Sequence, residues 1–394
     1  MNFWRSLPQP IIGLAPMDGV TDATFRRMIA SQGAPDVIFT EFTNVSEVCR
    51  GPEHLLSSLI YSERERPIVA QLYGKDPDLF YRAAHVVCEL GFDGLDVNMG
   101  CPSKNVASSG SGAALIKTPS LAKDILRAAK QGIRDWAAGQ DLQTLGFKPS
   151  RLEFIRALNL RRSGSPTVSR RAIPLSVKTR LGYDCSIVER WTEQLLEEQP
   201  TAITIHGRTL QQMYRGEADW FAIAKAAKLV RQTDTFVLGN GDLNTLAEVV
   251  SRVRESQVHG ALVGRGTLGA PWFFRHKEGA RLAAQQGLAG GPPHGQAWEV
   301  TVSLSDRMGL MLDHARQYEA VAGTERFRSI RKHLGWYCKG FPRAAAMRAK
   351  MFQVSSVTDV ERVIAEFCGD LPASGPTDAT DHLSPYVRSQ ACTL

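Results

Sequence analysis

The five residues Asn98-Met99-Gly100-Cys101-Pro102 bring an amide, a glycine and a thiol together. The run before them, Gly94-Leu95-Asp96-Val97, has the character of a buried strand, and Pro102 cannot continue a strand ladder. Cys101 is therefore expected on a loop at the C-terminal end of a strand. There a thiol beside an amide can act as an acid or as a nucleophile. The same residue also suits the role of a small buried hydrophobe, the commonest fate of an unpaired cysteine. The elements that position Cys101 decide between these readings.

Short apolar runs alternate with helix-like segments to about residue 275, the pattern of a parallel sheet with crossover helices. Candidate strands cover 11–15, 37–40, 68–72, 94–98, 175–179, 202–205, 236–238 and 261–263, and candidate helices 22–30, 77–90, 121–137, 186–198, 220–231 and 243–254. Eight strands predict a (β/α)₈ TIM barrel, with a doubly wound sheet as the alternative. A barrel places functional side chains just after its strands. Ala15-Pro16-Met17-Asp18-Gly19, Glu41, Gln71, Asn98 with Cys101, Lys178 with Arg180, His206 with Arg208, Asn240-Gly241-Asp242 and Gly264-Arg265-Gly266 fall there in turn.

The remainder of the chain divides by composition. Residues 1–282 hold the barrel, and the connection at about 139–172 is too long for an ordinary αβ loop and reads as a basic insertion (Lys148, Arg151, Arg156, Arg161, Arg162, Arg170 and Arg171 against Asp141 and Glu153). The insertion is either a solvated elaboration or a nucleic-acid contact. A Gly-, Gln- and Pro-containing linker is expected at 283–297, a helical bundle at 298–370 with a capping box at Thr358 and Glu361, and a flexible tail at 371–394. From Arg326 to Lys350 the bundle carries eight cations, including Arg328, Arg331 and Lys332, and no acid. A basic face interleaved with Trp336 and Tyr337 is what phosphate-backbone binding requires. The net charge of +7 agrees with an acidic partner. Seven scattered cysteines without a Cys-x-x-Cys pair argue against a disulfide framework and against a metal site. No run reaches membrane-spanning length, so a cytoplasmic protein is expected.

Glycines after the seventh and eighth strands let backbone amides approach a phosphate, and Arg265 adds charge. A phosphate there, with Lys178, Gln71 and His206 in the mouth, fits a flavin mononucleotide lying across the barrel. Lys178 would then stand at the anionic edge of the reduced ring. Otherwise Lys178 is a salt-bridge partner of Glu41 or Asp96, and His206 a satisfied structural histidine.

Taken together, Ala15-Pro16-Met17-x-Gly19-x-Thr21-Asp22-x-x-Phe25-Arg26, Asn98-Met99-Gly100-Cys101-Pro102, Gly110-x-Gly112-Ala113-Ala114-Leu115, Val177-Lys178-x-Arg180-Leu181-Gly182, His206-Gly207-Arg208-Thr209, Asn240-Gly241-Asp242, Gly264-Arg265 and Arg331-Lys332-His333-x-x-Trp336-Tyr337 resemble the tRNA-dihydrouridine synthases. The resemblance runs in collinear order over nearly the whole chain. It implies an oxidoreductase that binds FMN, takes electrons from NADPH and reduces the C5=C6 bond of uridines in tRNA. Hydride would pass from reduced FMN to C6 and a proton from Cys101 to C5. It implies flavin contacts from Pro16, Met17, Asp18, Gln71, Lys178, His206, Asn240, Gly241, Asp242, Gly264 and Arg265. It also implies substrate contacts from Asn98, Arg180, Arg208, Arg328, Arg331 and Lys332. No metal is implied, and a monomer is expected. The long basic insertion departs from the family's shorter connection. A flavin barrel acting on a free pyrimidine and a non-catalytic RNA-binding protein are the competing readings.

Overall fold

Eight short runs of mostly apolar residues form strands because each buries both faces, as in a parallel sheet covered by helices. A computed structural model of the chain describes residues 2–286, 298 and 300–368. The strands are β1 (Ile11–Leu14), β2 (Ile38–Asn44), β3 (Ile68–Tyr73), β4 (Gly94–Met99), β5 (Leu175–Arg180), β6 (Ala202–His206), β7 (Phe236–Asn240) and β8 (Gly260–Val263). They pair in sequence order, all parallel, and β8 closes on β1. This is the TIM barrel, and the doubly wound alternative falls. The helices are α1 (Ala23–Gln32), α2 (Val45–Arg50), α3 (Pro77–Glu89), α4 (Lys104–Ser108), α5 (Pro119–Ala137), α6 (Pro149–Ser163), α7 (Val188–Leu196), α8 (Trp220–Val230), α9 (Leu246–Ser256), α10 (Lys277–Gln285), α11 (Leu304–Ala322), α12 (Arg331–Tyr337), α13 (Ala344–Met351) and α14 (Val357–Cys368).

The side-chain period of two decides what fills the cylinder. Ile12, Leu14, Ala70, Leu95, Val97, Val177, Ile203 and Val237 face outward into the core shared with the helices. Ile11, Phe39, Val69, Ala202, Leu238 and Leu262 face inward, and Trp4 plugs the N-terminal end against them. Trp4 lies 5.0 Å from Phe3, and 6.4 Å from both Phe39 and Phe236, ring to ring. Further along β3 to β7 the inward positions turn polar: Gln71, Asp96, Asn98, Ser176, Lys178, His206 and Asn240. The apolar plug below and the polar layer above make the C-terminal end the chemical one.

The expected strands reappear, several running one or two residues longer. β2 departs most. Its register shifts between Phe39 and Phe42, and this bulge carries Glu41.

The insertion holds a full helix, α6, and lies at the opposite end from the polar layer. It joins α5 to β5, and such αβ connections belong to the N-terminal face of a barrel. Leu152 and Ile155 enter the barrel's outer core. Arg151 donates to the carbonyls of Val48 and Gly51, Asn159 to Glu89 O at 2.8 Å and Arg162 to Leu90 O at 2.6 Å. Arg170 pairs with Asp141 at 2.9 Å and Arg171 with Asp93 at 3.1 Å. One face of the insertion is therefore packed on the barrel, while Arg156, Leu160 and the residues around Arg170 remain exposed to solvent.

Two boundaries need correction. α10 runs to Gln285 with Ala283 fully buried, so the expected linker cannot begin at 283. Residues 287–297 and the tail from 371 lie outside the described residues. The cap of α14 also sits earlier than Thr358: Ser356 Oγ accepts the Asp359 N–H at 3.2 Å. The C-terminal helices share a second core of Met308, Met311, Phe327, Ile330, Leu334, Met347 and Met351, which Trp272 joins from the barrel side. They seat against α1 and the loop after β8. Phe25 packs on His333 with ring centres 5.3 Å apart, and Lys339 Nζ donates to Leu268 O at 2.9 Å. Gly269 permits this approach, because a Cβ there would collide with the Trp336 carbonyl.

Candidate active site

A cleft of about 570 Å³ opens at the C-terminal end of the barrel, and all eleven residues expected around the flavin line it. Cys101, Asn98 and Arg180 line the same cleft. The thiol and the glycine turns at 241 and 264 therefore share one end of the cylinder.

Cys101 is held by its own backbone. Asn98 Oδ1 accepts the N–H groups of Gly100 at 3.0 Å and Cys101 at 2.9 Å, which folds the chain back over the end of β4. Gly100 fits because its Cα lies against β5; a Cβ would come within 3.2 Å of the Thr179 backbone. Burial raises the Cys101 thiol above its ordinary value, and Asp18 pushes the same way, against the Ser103 N–H and the charges of Arg180 and Lys178. The sulfur is thus protonated at neutral pH, which suits a proton donor and disfavours a nucleophile.

Lys178 is partly buried in the cleft wall, donates to Asn240 Oδ1 at 3.1 Å, and makes no ion pair among the described residues. The expected alternative pairing with Glu41 or Asp96 is not formed. Burial first, then Arg180, lower its ammonium to about 8. His206 is driven well below its ordinary value by burial and by the cations around it, so it is neutral. Its Nδ1 is buried without a partner. An orphaned imidazole nitrogen and an unpaired buried ammonium are polar capacity that the protein itself leaves open, and they fit an anionic, hydrogen-bonding cofactor. Gly241, at φ +128°, and Gly264 keep the wall low between them.

Three of the expected contact residues are already engaged by the protein itself. Arg208 does not line the cleft. Its guanidinium turns below the surface to Asp242 at 2.6 Å and to the carbonyls of Arg215 and Gly216. Asp242 also pairs with Arg265 at 2.7 Å and accepts the Ala218 N–H. Burial pushes its carboxyl upward, but these donors outweigh burial and hold it below its ordinary value. Asp242 thereby clamps the loops after β6, β7 and β8 together. Arg180, with 4% of its surface exposed, gives Nε to Gly100 O and Nη1 to Thr209 O and Met213 O. Only part of its guanidinium is left for a ligand.

The basic face is also thinner than its count. Of the eight cations from Arg326 to Lys350, Arg331 caps the carbonyls of Gln353 and Val354, Lys339 binds Leu268 O and Arg348 binds Cys338 O. Arg343 lies over the Phe367 ring and Lys350 pairs with Glu366. Arg326, Arg328 and Lys332 make no ion pair among the described residues. Arg326 and Arg328 are exposed, and Lys332 Nζ rests 3.2 Å from where a Cβ on Gly19 would stand, beside Asp18 at the cleft's edge. Glu41, near the same edge, is pushed up to about 7 by burial and by the charge of Asp22.

Sequence reasoning missed Tyr214 and Met213, which line the cleft from the β6–α8 loop. Tyr214 is 60% exposed and lies 5.8 Å from the Arg265 guanidinium. An aromatic eight residues after a strand-end histidine was the available signal. Among the described residues no cluster suits a metal ion, and no helix is long and apolar enough to cross a membrane.

Known proteins share sequence with this chain over nearly its whole length. The chain is 30% identical over 371 residues to the probable tRNA-dihydrouridine synthase 2 of Bacillus subtilis (strain 168), covering 93% of this chain and 96% of that protein. It is 29% identical to a probable tRNA-dihydrouridine synthase of Staphylococcus aureus (strain COL), covering 93% and 95%. Among solved structures, morphinone reductase aligns with 75% of this chain and 91% of its own at 11% identity and a TM-score of 0.39. The dihydrouridine synthase family model matches residues 13–135 and 165–369, and the stretch it omits contains the whole of α6. With that match over most of its length, the chain belongs to the dihydrouridine synthase family of flavin-dependent oxidoreductases.

Proposed function

We propose that this chain is a tRNA-dihydrouridine synthase that reduces the C5=C6 bond of uridines in tRNA, with FMN as its bound cofactor and NADPH as the reductant. One observation carries the reading: a buried, protonated thiol and a cation-bearing, glycine-walled pocket occupy a single cleft. Gly241, Gly264 and Arg265 would hold the FMN phosphate, and Met17, Gln71 and Lys178 the ring. When bound, FMN supplies the hydride for C6.

The protein's own groups do the rest. Cys101 donates the proton to C5, and its raised pKa keeps that proton in place until the reaction calls for it. Asn98 and the remaining face of Arg180 hold the edge of the uracil. Tyr214 offers a stacking surface at the mouth for a base that has left the RNA stack. Arg326, Arg328 and Lys332 hold the phosphates beside the cleft, on helices that seat directly against its rim. NADPH and the uridine take turns at one cleft, a ping-pong order. The names of the relatives support tRNA as the substrate.

The test is direct. Purified protein loaded with FMN is given NADPH and unmodified tRNA, and dihydrouridine is mapped by position, alongside tRNA from a strain lacking the gene. Dihydrouridine formed in vitro and missing from one position in that strain is the expected result. Failure to bind FMN, or an unchanged dihydrouridine map, would defeat the proposal.

A further inference from the structure

Asp96 lies beneath the cleft, fully buried on β4; it does not line the cleft, and it makes no ion pair among the described residues. Its Oδ1 accepts the Ser176 hydroxyl at 2.6 Å and its Oδ2 accepts Gln71 Nε2 at 2.7 Å. Gln71 Oε1 in turn accepts Asn98 Nδ2 at 2.9 Å, and Asn98 Oδ1 accepts the Gly100 and Cys101 N–H groups. The chain of bonds thus runs from a carboxylate in the barrel's interior to the backbone of the thiol.

An amide side chain can be turned either way, so its orientation must come from its partners. Here both ends of the chain dictate the same answer. A carboxylate only accepts, which forces Gln71 to turn its NH₂ downward and its oxygen toward Asn98. Backbone N–H groups only donate, which forces Asn98 to turn its oxygen toward Cys101. Counting bonds then fixes what Asn98 shows a ligand. Both lone pairs of its oxygen and one of its two N–H bonds are used, so a single donor remains.

We infer that Asp96 is a positioning residue that fixes the polarity of Gln71, so that Gln71 Oε1 takes one of the two Asn98 N–H bonds and Asn98, its oxygen already held by Gly100 and Cys101, offers the cleft a single hydrogen-bond donor. A donor matches the carbonyl oxygens of uracil and opposes the exocyclic amino group of cytosine, so the buried carboxylate helps set which pyrimidine is accepted. This rests on the function proposed above, with Asn98 at the base.

The test uses the full-length protein and compares Asp96→Leu with Asp96→Asn. Asparagine can still present an oxygen to Gln71 while its NH₂ donates to Ser176 Oγ, so D96N is expected within about threefold of wild type in kcat/KM for tRNA. Leucine offers no acceptor, and D96L is expected to lose about tenfold or more. In a Gln71→Met background, where the chain is already cut, D96L should add less than about twofold. A purely structural role would add its full effect there. A second readout needs no cofactor: in the ligand-free protein the Asn98 side-chain amide protons, assigned by their loss in Asn98→Ala, should exchange slowly in wild type and D96N and rapidly in D96L. If D96L does not fold, Asp96→Ser, too short to reach Gln71, takes its place in both measurements. Wild-type turnover by D96L, an undiminished loss in the Gln71→Met background, or unchanged Asn98 exchange would overturn the inference. A wild-type protein that makes no dihydrouridine would instead defeat the proposed function, and the exchange measurement would still decide the role of Asp96.

Discussion

The two ends of this barrel both carry arginines, yet they are built on opposite principles. At the N-terminal end the insertion's Arg151, Arg162, Arg170 and Arg171 reach carbonyls or carboxylates of the protein. At the C-terminal end the Lys178 ammonium has a hydrogen bond to Asn240 but no ion pair among the described residues, and the His206 Nδ1 is buried with no partner. Burying polar groups that way costs stability unless something supplies the missing bonds. Function therefore lies where bonding capacity is left open, and a tally of charges cannot find it.

The strongest way to sharpen this contrast is at the thiol. Cys101→Ala should lower dihydrouridine formation by about 10²- to 10⁴-fold, the usual worth of a general acid, while stopped-flow reduction of bound flavin by NADPH stays near wild type. Normal turnover on tRNA would remove the acid from Cys101.

Lys178 comes next. Losing one charge-assisted bond costs about 1.5–3 kcal/mol, so Lys178→Met should weaken FMN binding roughly ten- to hundredfold, read by quenching of flavin fluorescence. The pH dependence has a defined sign. In the ligand-free protein Lys178 loses its proton near 8 rather than at the ordinary 10.5. An anionic ligand raises that value again, so binding takes up a proton between the two. FMN affinity should fall as pH rises through about 8, and K178M should flatten that fall.

A smaller effect is expected at the rim. Arg326→Glu with Arg328→Glu should weaken tRNA binding about tenfold and lower its salt slope by about 2, since each is exposed and unpaired among the described residues. Arg156→Glu, exposed on the insertion at the far end, should leave both unchanged. Equal effects would erase the distinction between the ends.

The smallest effect on turnover belongs to Arg151→Met. Two carbonyls lose their donor, and unfolding by urea should show a loss of about 1–3 kcal/mol, with kcat and KM intact. A loss of activity without a loss of stability would give the insertion a role in catalysis.

Much of the site is legible in the order of residues along the chain. Strand ends marked by Gln71, Asn98, Lys178, His206 and Asn240 lie where a barrel's mouth must lie, and all of them reach one cleft. Arg208 is the exception among the residues after the strands: two residues past the end of β6 it points beneath the loop, to Asp242, and does not line the cleft. The engagement of Arg331 is not legible either, because its partners, the carbonyls of Gln353 and Val354, lie more than 20 residues away. Tyr214 went unseen because loop residues carry no period.

What the sequence alone determined was the cylinder, its chemical end and the residues facing into it. These follow from alternation along a strand and from the residue types at strand ends, which are local properties. The tertiary structure alone decided which cations remain available and which way each amide of the cleft is turned. Those depend on carbonyls and carboxylates brought within 3 Å by distant segments, as Asp96 meets Gln71 across 25 residues, and no local pattern encodes such a meeting.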